Sequence, residues 1–449
     1  ILICISLFKQ QKSILFIFQA FVAAGIFNIF YALVTQIFGD PVPWNNIYGA
    51  FLGTFGNPDF SGAFFGLISA AFLSMFIRFD ISKKYRIINI TLYLLSLYSV
   101  LLTDTTQGLL VTAIANAIVI TIFLHKKFKN IILTSLIVSF FSIAGIFTLF
   151  GIFQKGPLSN YLYKKSVSLR GSYWDAAFET GKDHLLFGVG FDSFGDWYRR
   201  ARSLKAATWM PGPETITNVA HNYYLDIFAY GGLLLLVSYL FFTLLGVVLS
   251  IRILKIQKNY DYLSAALIAI FIGFQAQAII SIPQIGLAIW GWVIIGMLYS
   301  YERFLVDIKN DKVDRKPKNK AFETPIGILI FIGASIGILL GVPPYSSDAK
   351  FTKALNSRDL KQFELALDEN YFNPANSEKY LRAISLLEQS KLYDQAHNYA
   401  LRAVRFNSDS FNSWKMLYFL SASTPEERGL ALVNMKRLDP LNRNLDKLK

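Results

Sequence analysis

Apolar residues occur along this chain in long blocks separated by shorter polar connections. A helix of about 20 apolar residues crosses the hydrocarbon core of a bilayer, so each block predicts a membrane-spanning helix. The predicted spans are 13–38, 60–79, 87–103, 107–124, 131–153, 223–250, 263–280, 285–301 and 325–342. The pattern therefore predicts an all-α, polytopic membrane protein.

The connections between the spans are of two alternating kinds. Every second connection is rich in Lys and Arg, as at 252–258 and 303–320. The positive-inside rule places these connections in the cytoplasm, and it places the others, including the long loop 154–222, outside an inner (plasma) membrane. Because the chain begins at Ile1 within an apolar stretch, we expect further helices upstream.

The composition of the chain changes near residue 343. The whole chain is 16% charged, whereas a soluble domain averages about 25%, and most of its charge lies in the connections and in the tail. The tail segments end at Phe372, Phe406 and Leu438, about 33 residues apart, which is similar to a tetratricopeptide array. We expect a membrane domain, 1–342, and an extracytoplasmic helical repeat domain, 343–449, that contacts a protein partner. A plain helical hairpin domain is the alternative for the tail.

The long loop contains more Lys and Arg than Asp and Glu, against the topology rule. An anionic ligand would account for this excess, because the arginine fork donates two parallel hydrogen bonds to a phosphate. Arg170 precedes a helical pattern, so it should lie near a helix N-terminus, which also favours anions. Ordinary surface salt bridges are the alternative. The other basic residues cluster in short connections, so we expect no nucleic-acid partner.

His221 ends the long loop immediately before an apolar helix. Histidine accepts a proton near neutral pH, so His221 is a candidate general base; an interfacial residue that caps the helix is the alternative. Asp226 lies inside the following span, where an ionisable group is costly and often functional. It shares a helix face with Asn222. Gln107, at the start of another span, is expected to form a hydrogen bond between helices.

At these residues the sequence resembles the O-antigen ligase/polymerase superfamily of bacterial glycan-assembly enzymes. The pieces that carry the resemblance are Gly53–Asp59 with Asn57, Arg170 followed by Trp174, Leu186–Gly190 with Phe194, His221–Leu225 with Gly231 and Gly232, and Trp290. Each piece alone is weak, but their order and their shared outer location make the set specific. The resemblance covers about residues 40–300, and a similar tail occurs in some members.

The resemblance implies a glycosyltransferase-C-like helical bundle and a transferase that needs no metal or cofactor. Its donor would be a glycan on undecaprenyl pyrophosphate, bound by Arg170, and His221 would be the base for the acceptor hydroxyl. Asn57, Trp174, Asn222, Asp226 and Gln107 would support the site. Many members carry a Ser-Arg pair where this chain has Thr106-Gln107. Arg199, Arg200 and Arg202 are the candidates to replace that lost phosphate contact.

Several functions are compatible with these sequence features. Within the superfamily, the acceptor could be a lipid (ligase type, ranked first), a growing polysaccharide or a protein hydroxyl. From other classes, a lipid or polysaccharide transporter would require charged residues along the spans and an internal repeat, and a scaffold would only display the tail. The spans carry almost no charge apart from Asp226 and show no repeat, and the scaffold leaves the set of motifs unexplained. The expected partners are therefore a lipid-linked glycan, its acceptor and the surrounding membrane lipid.

Overall fold

The computed structural model describes residues 11–152, 156–157, 165–191, 193–282, 284–310, 323–357, 359–371, 373–374 and 376–448. Within these ranges the chain is helical, and the β-structure consists of an isolated bridge between Asn370 and Asn373. The apolar start of the chain, Phe372 and part of the basic connection 303–320 lie outside the described residues.

The helices fall into three groups along the chain. The first is α1 (Gln11–Phe38), α2 (Pro58–Phe76), α3 (Lys83–Leu102), α4 (Thr106–Phe128) and α5 (Ile131–Ile152). The long connection holds α6 (Lys165–Asp183), α7 (Phe194–Ala201) and α8 (Leu204–Thr208), and it is followed by α9 (Tyr223–Ile256), α10 (Tyr262–Ile280) and α11 (Ile285–Lys309). The last group is α12 (Glu323–Ser357), α13 (Leu360–Ala366), α14 (Ser377–Gln389), α15 (Tyr393–Phe406), α16 (Phe411–Phe419) and α17 (Pro425–Leu438).

Eight helices in the described part of the chain are long and apolar enough to cross a membrane: α1, α2, α3, α4, α9, α10, α11 and α12. Each overlaps one of the predicted spans, and the spans predicted at 60–79 and 87–103 extend past the ends of α2 and α3 by three residues and one residue. The remaining predicted span, 131–153, is helix α5, whose described apolar stretch, Ile131–Phe147, is shorter. The prediction of a polytopic, all-helical membrane protein is therefore confirmed.

One compact unit comprises Ile1–Arg170, His221–Ile227 and Leu234–Ile326. Helices α2 and α10 are the most buried of its spans. Small residues bring α2 close to α4, since a Cβ atom at Gly66 would lie 2.9 Å from the backbone nitrogen of Thr112. Without a hydrophobic driving force in lipid, such close packing is what associates membrane helices.

The second compact unit comprises Gly171–Ala220, Phe228–Leu233 and Gly327–Lys449. It thus contains most of the long connection together with the C-terminal helices. Ala396, Ala400 and Ala403 of α15 are buried in its core. The predicted domain boundary at 342 falls inside α12, which continues through Pro343 and Pro344. That boundary and the tetratricopeptide resemblance stay predictions.

Candidate active site

Arg170 is held between two groups of the first unit. Its side chain is buried, and its Nη1 atom donates a hydrogen bond of 2.6 Å to the carbonyl of Ile280 at the end of α10. Its Nη2 atom lies 4.0 Å from Oδ2 of Asp59, a charge contact longer than a hydrogen bond. Since α6 begins at Lys165, Arg170 lies within the helix rather than before its first turn. The unpaired amides of a helix start therefore belong to earlier residues.

Gln107 connects the same two helix ends. Its Nε2 atom donates to the carbonyl of Asp59 at 3.3 Å and to the hydroxyl of Ser281 at 3.1 Å. The side chain is buried, and its Oε1 atom has no hydrogen-bond partner within the described part of the chain. The predicted helix-to-helix hydrogen bond is present. It fixes the two elements from which Asp59 and Ile280 contact Arg170.

Asn57 sets the start of α2. It is the N-cap residue, and its Oδ1 atom accepts a hydrogen bond of 2.8 Å from the amide of Asp59. Pro58 follows at the first helical position, where its missing N–H is not needed. The Asn-Pro-Asp sequence thereby places the Asp59 carboxylate in the first turn of α2, beside Arg170. A supporting role of Asn57 in the site through this cap stays a prediction.

His221 lies just before α9 in a left-handed backbone conformation, with a φ of 56°. Its side chain is partly buried. Burial lowers the pKa of the imidazole to about 4, and the positive charge of Arg170 adds to this effect. His221 is therefore neutral near neutral pH and able to accept a proton. The charge of Arg170 thus acts on His221, and the roles of the two residues as cation and base stay predictions.

Asn222 and Asp226 occupy the first turns of α9. Asn222 is the N-cap residue, whose Oδ1 atom accepts hydrogen bonds from the amides of Tyr224 and Leu225, at 3.1 and 3.2 Å. This cap fixes where α9 begins and thus where His221 stands. Asp226 is fully buried in the first turn of the same helix.

The loop arginines that were expected to bind the donor have partners in the second unit. Arg199 and Arg202 contact opposite oxygens of Asp439, at 2.9 and 2.6 Å, and all three side chains are buried. Arg200 pairs with Asp409 at 3.2 Å and covers the ring of Trp197. These contacts give the three arginines a structural role, and pyrophosphate binding by them stays a prediction. Trp174 lies partly buried in α6, in the part of that helix that belongs to the second unit.

A cavity of about 460 Å³ lies in the first unit between α3, α4 and α5. Asp104, Thr105 and Thr106 line its polar end, and apolar residues line the rest as far as Ala117 and Phe141. From Thr106 to Ala117 the cavity follows α4 for about 16 Å, given the rise of 1.5 Å per helical residue. That length is about half the hydrocarbon thickness of a bilayer.

Comparison with known families identifies the central segment. Residues 91–240 match the family model of the O-antigen ligases. This segment is thus similar to the O-antigen ligases. No curated protein matches the chain. The match confirms the family resemblance read from the motifs, and it supports glycan transfer of the ligase or polymerase type.

The matched segment contains Gln107, Arg170 and His221, but residues that contact Arg170 and Gln107 lie outside it. Asp59 precedes the matched segment, and Ile280 and Ser281 follow it. Asp59 was not among the predicted site residues, although it closes the Gly53–Asp59 motif and stands next to a proline that favours a helix start. Ser281 gave no comparable signal, since serine is common at helix ends.

Proposed function

We propose that the protein transfers a glycan from an undecaprenyl pyrophosphate carrier to an acceptor hydroxyl. The observation that carries the proposal is that burial and the charge of Arg170 lower the pKa of His221, within the segment that matches the O-antigen ligases. A fixed cation and a neutral base are the two groups that this displacement requires.

In the proposed reaction, His221 removes the proton of the acceptor hydroxyl. The acceptor oxygen attacks the anomeric carbon of the glycan, the bond from that carbon to the phosphate oxygen breaks, and the carrier leaves as its pyrophosphate. Arg170 balances the negative charge that develops on the leaving oxygen. His221 is neutral before the reaction, so its imidazole can take the acceptor proton. Solvent then removes that proton and restores the neutral base.

A lipid-linked donor suits the surroundings of this site. The apolar cavity along α4 begins at Thr106, the residue before Gln107, and Gln107 contacts the backbone of Asp59. An isoprenoid chain in that cavity would leave its pyrophosphate at the polar end. The acceptor is assigned as a lipid, as in ligation, and transfer to a growing polysaccharide or to a protein hydroxyl uses the same two groups.

The proposed location is the bacterial inner membrane, with the site and the C-terminal helices on the extracytoplasmic face. The alternation of basic connections supports this orientation. Reporter fusions at Lys258 and at the C-terminus would test it. A reporter that requires export should be active at the C-terminus and inactive at Lys258, and the reverse pattern contradicts the orientation.

The test of the function is expression in a host that builds a known undecaprenyl pyrophosphate glycan. Wild type would be compared with His221→Ala and Arg170→Ala at matched membrane abundance. The glycan would be blotted on lipid, on protein and as long polymer. We expect wild type to move glycan to one of these acceptors and both variants to fail.

Two variants of the same residue types serve as controls. Arg382 forms an exposed ion pair with Glu378, and His397 pairs with Glu427, both in the C-terminal helices. Arg382→Ala and His397→Ala should transfer as wild type does. If His221→Ala and Arg170→Ala also transfer as wild type does, the assignment of the site is wrong. If glycan-loaded carrier instead crosses the membrane without transfer, the protein is a transporter.

A further inference from the structure

Helix α9 is interrupted near its first third. Gly232 has non-helical angles, with φ 62° and ψ −160°. The amide of Leu233, which a continuous helix would direct to the carbonyl of Ala229, donates to the carbonyl of Leu185 at 2.7 Å. The break therefore leaves carbonyl groups of a membrane-spanning helix without their helical partners.

A short segment of the long connection supplies the missing hydrogen bonds. The amide of Val189 donates to the carbonyl of Ala229, and that of Gly190 donates to the carbonyl of Tyr230, both at 2.9 Å. Backbone polar groups at a membrane must find partners within the protein. The Gly-Val-Gly sequence is thus part of the framework of the broken span.

Two glycines make this approach possible. A Cβ atom on Gly188 would lie 2.3 Å from the backbone of Tyr230, and one on Gly232 would lie 2.4 Å from the backbone of Leu186. Both glycines also have positive φ, at 63° and 62°. Residues 185–191, here called the stitched segment, are therefore held against α9 by backbone contacts that any larger residue would prevent.

The sequence of α9 places the break at the edge of the hydrocarbon. Arg252 is the first charged residue after the break. A helix of about 20 residues crosses the apolar core of a bilayer. Gly232 lies that number of residues before Arg252. The part of α9 from Tyr223 to Tyr230 then lies in the interfacial layer, and the stitched segment is bonded to α9 at the boundary of that layer.

The side chains of the stitched segment are apolar and exposed. Leu186, Phe187 and Phe191 have 57%, 73% and 76% of their surface exposed. A contiguous exposed apolar surface marks an interaction site. Because the backbone of this segment is bonded to a membrane-spanning helix at the level of the interface, the environment that meets these side chains is the bilayer.

We propose that the stitched segment inserts Leu186, Phe187 and Phe191 among the acyl chains of the leaflet on the Tyr223 side of α9. The inserted side chains anchor the long connection at the depth of the lipid headgroups. This inference does not depend on the proposed glycan transfer, because the anchoring is a property of the resting protein.

The test uses single cysteines in the full-length protein, whose only native cysteine, Cys4, is first changed to Ser. Phe187→Cys and Phe191→Cys are labelled with a fluorophore that responds to polarity. Val433→Cys in α17, whose native side chain is 66% exposed, is the matched control. The proteins are placed in vesicles of phosphatidylethanolamine and phosphatidylglycerol, with a nitroxide on the acyl chain of some lipids or with iodide in the water.

We expect the nitroxide lipid to reduce the fluorescence of the labels at 187 and 191, and iodide to reduce it only at 433. Thermal unfolding of each labelled protein should match that of the cysteine-free parent, which shows that the fold is kept. Two results would overturn the inference. One is quenching at 187 by iodide as strong as at 433. The other is protection from both quenchers, which would show that protein covers the segment.

Discussion

The Nη2 atom of Arg202 lies 2.6 Å from Oδ1 of Asp439, and neither side chain reaches solvent. The other oxygen of Asp439 lies 2.9 Å from Nη1 of Arg199. One buried carboxylate at the end of α17 thus neutralises two arginines that precede it by more than 230 positions. The last helix of the chain is consequently a structural part of the long connection.

Asp439→Asn should strongly destabilise the second unit. The amide keeps the shape of the side chain but leaves two buried guanidinium groups without a counter-charge, which costs about 3–5 kcal/mol. Denaturant unfolding of the purified full-length protein, followed by tryptophan fluorescence, measures this loss. Asp446→Asn is the matched control, since Asp446 is an exposed partner of Lys436 and should change the stability by less than about 1 kcal/mol. Equal effects of the two variants would show that the buried network contributes nothing.

The pH dependence of transfer should reveal the environment of His221. The base must be neutral, and its neutral fraction falls only as pH drops through its pKa of about 4. The pH profile of kcat/KM reports the free enzyme. The acidic limb of this profile should therefore lie near pH 4. A limb near the ordinary histidine pKa of 6.5 would show that burial and Arg170 do not act on this residue.

A bound donor should shift the acidic limb of the pH profile to higher pH. The pyrophosphate would offset the positive charge of Arg170, which is the second cause of the low pKa of His221. The limb seen in kcat, which reports the enzyme–substrate complex, should consequently lie at higher pH than the limb seen in kcat/KM. Coincident limbs would contradict contact between the donor and Arg170.

Gly188→Ala should disrupt the packing of the stitched segment on α9. The methyl group would lie 2.3 Å from the backbone of Tyr230, and the residue would have to keep a left-handed conformation that costs an L-amino acid about 1–2 kcal/mol. A lower unfolding temperature of the purified protein measures the effect. Gly429→Ala in α17 is the control, because nothing lies near its Cβ position and alanine favours a helix by about 1 kcal/mol. Similar unfolding temperatures in the two variants would show that Gly188 is not held as described.

The parts of the fold that follow from local sequence were predictable. Apolar length predicted the spans and the long polar connection between α5 and α9. The family motifs selected Arg170 and His221 as site residues, and their catalytic roles stay predictions. These features depend on a few neighbouring residues or on patterns that the family shares.

The parts that depend on distant pairing were not predictable. The arginines of the loop give the same sequence pattern whether they bind a phosphate or a carboxylate such as Asp439. Only the fold shows which partner each arginine contacts. Helix α12 likewise runs through the predicted domain boundary, because a change of composition at Pro343 need not end a helix. Asp59 could not be predicted for the same reason, since its importance lies in its charge contact with Arg170, which follows it by more than 100 positions.

Asp59→Asn should strengthen binding of the donor. The carboxylate lies 4.0 Å from Arg170 and competes with any phosphate for its charge. A unit charge at that distance is worth about 1 kcal/mol in water and about 4 kcal/mol near a protein surface, so its removal should lower the donor KM about fivefold or more. Arg170 keeps its place through the carbonyl of Ile280. Steady-state transfer at varied donor concentration tests this, with Asp80→Asn, which alters an exposed pair with Arg78, as control. A higher KM in Asp59→Asn alone would mean that Asp59 chiefly orients Arg170.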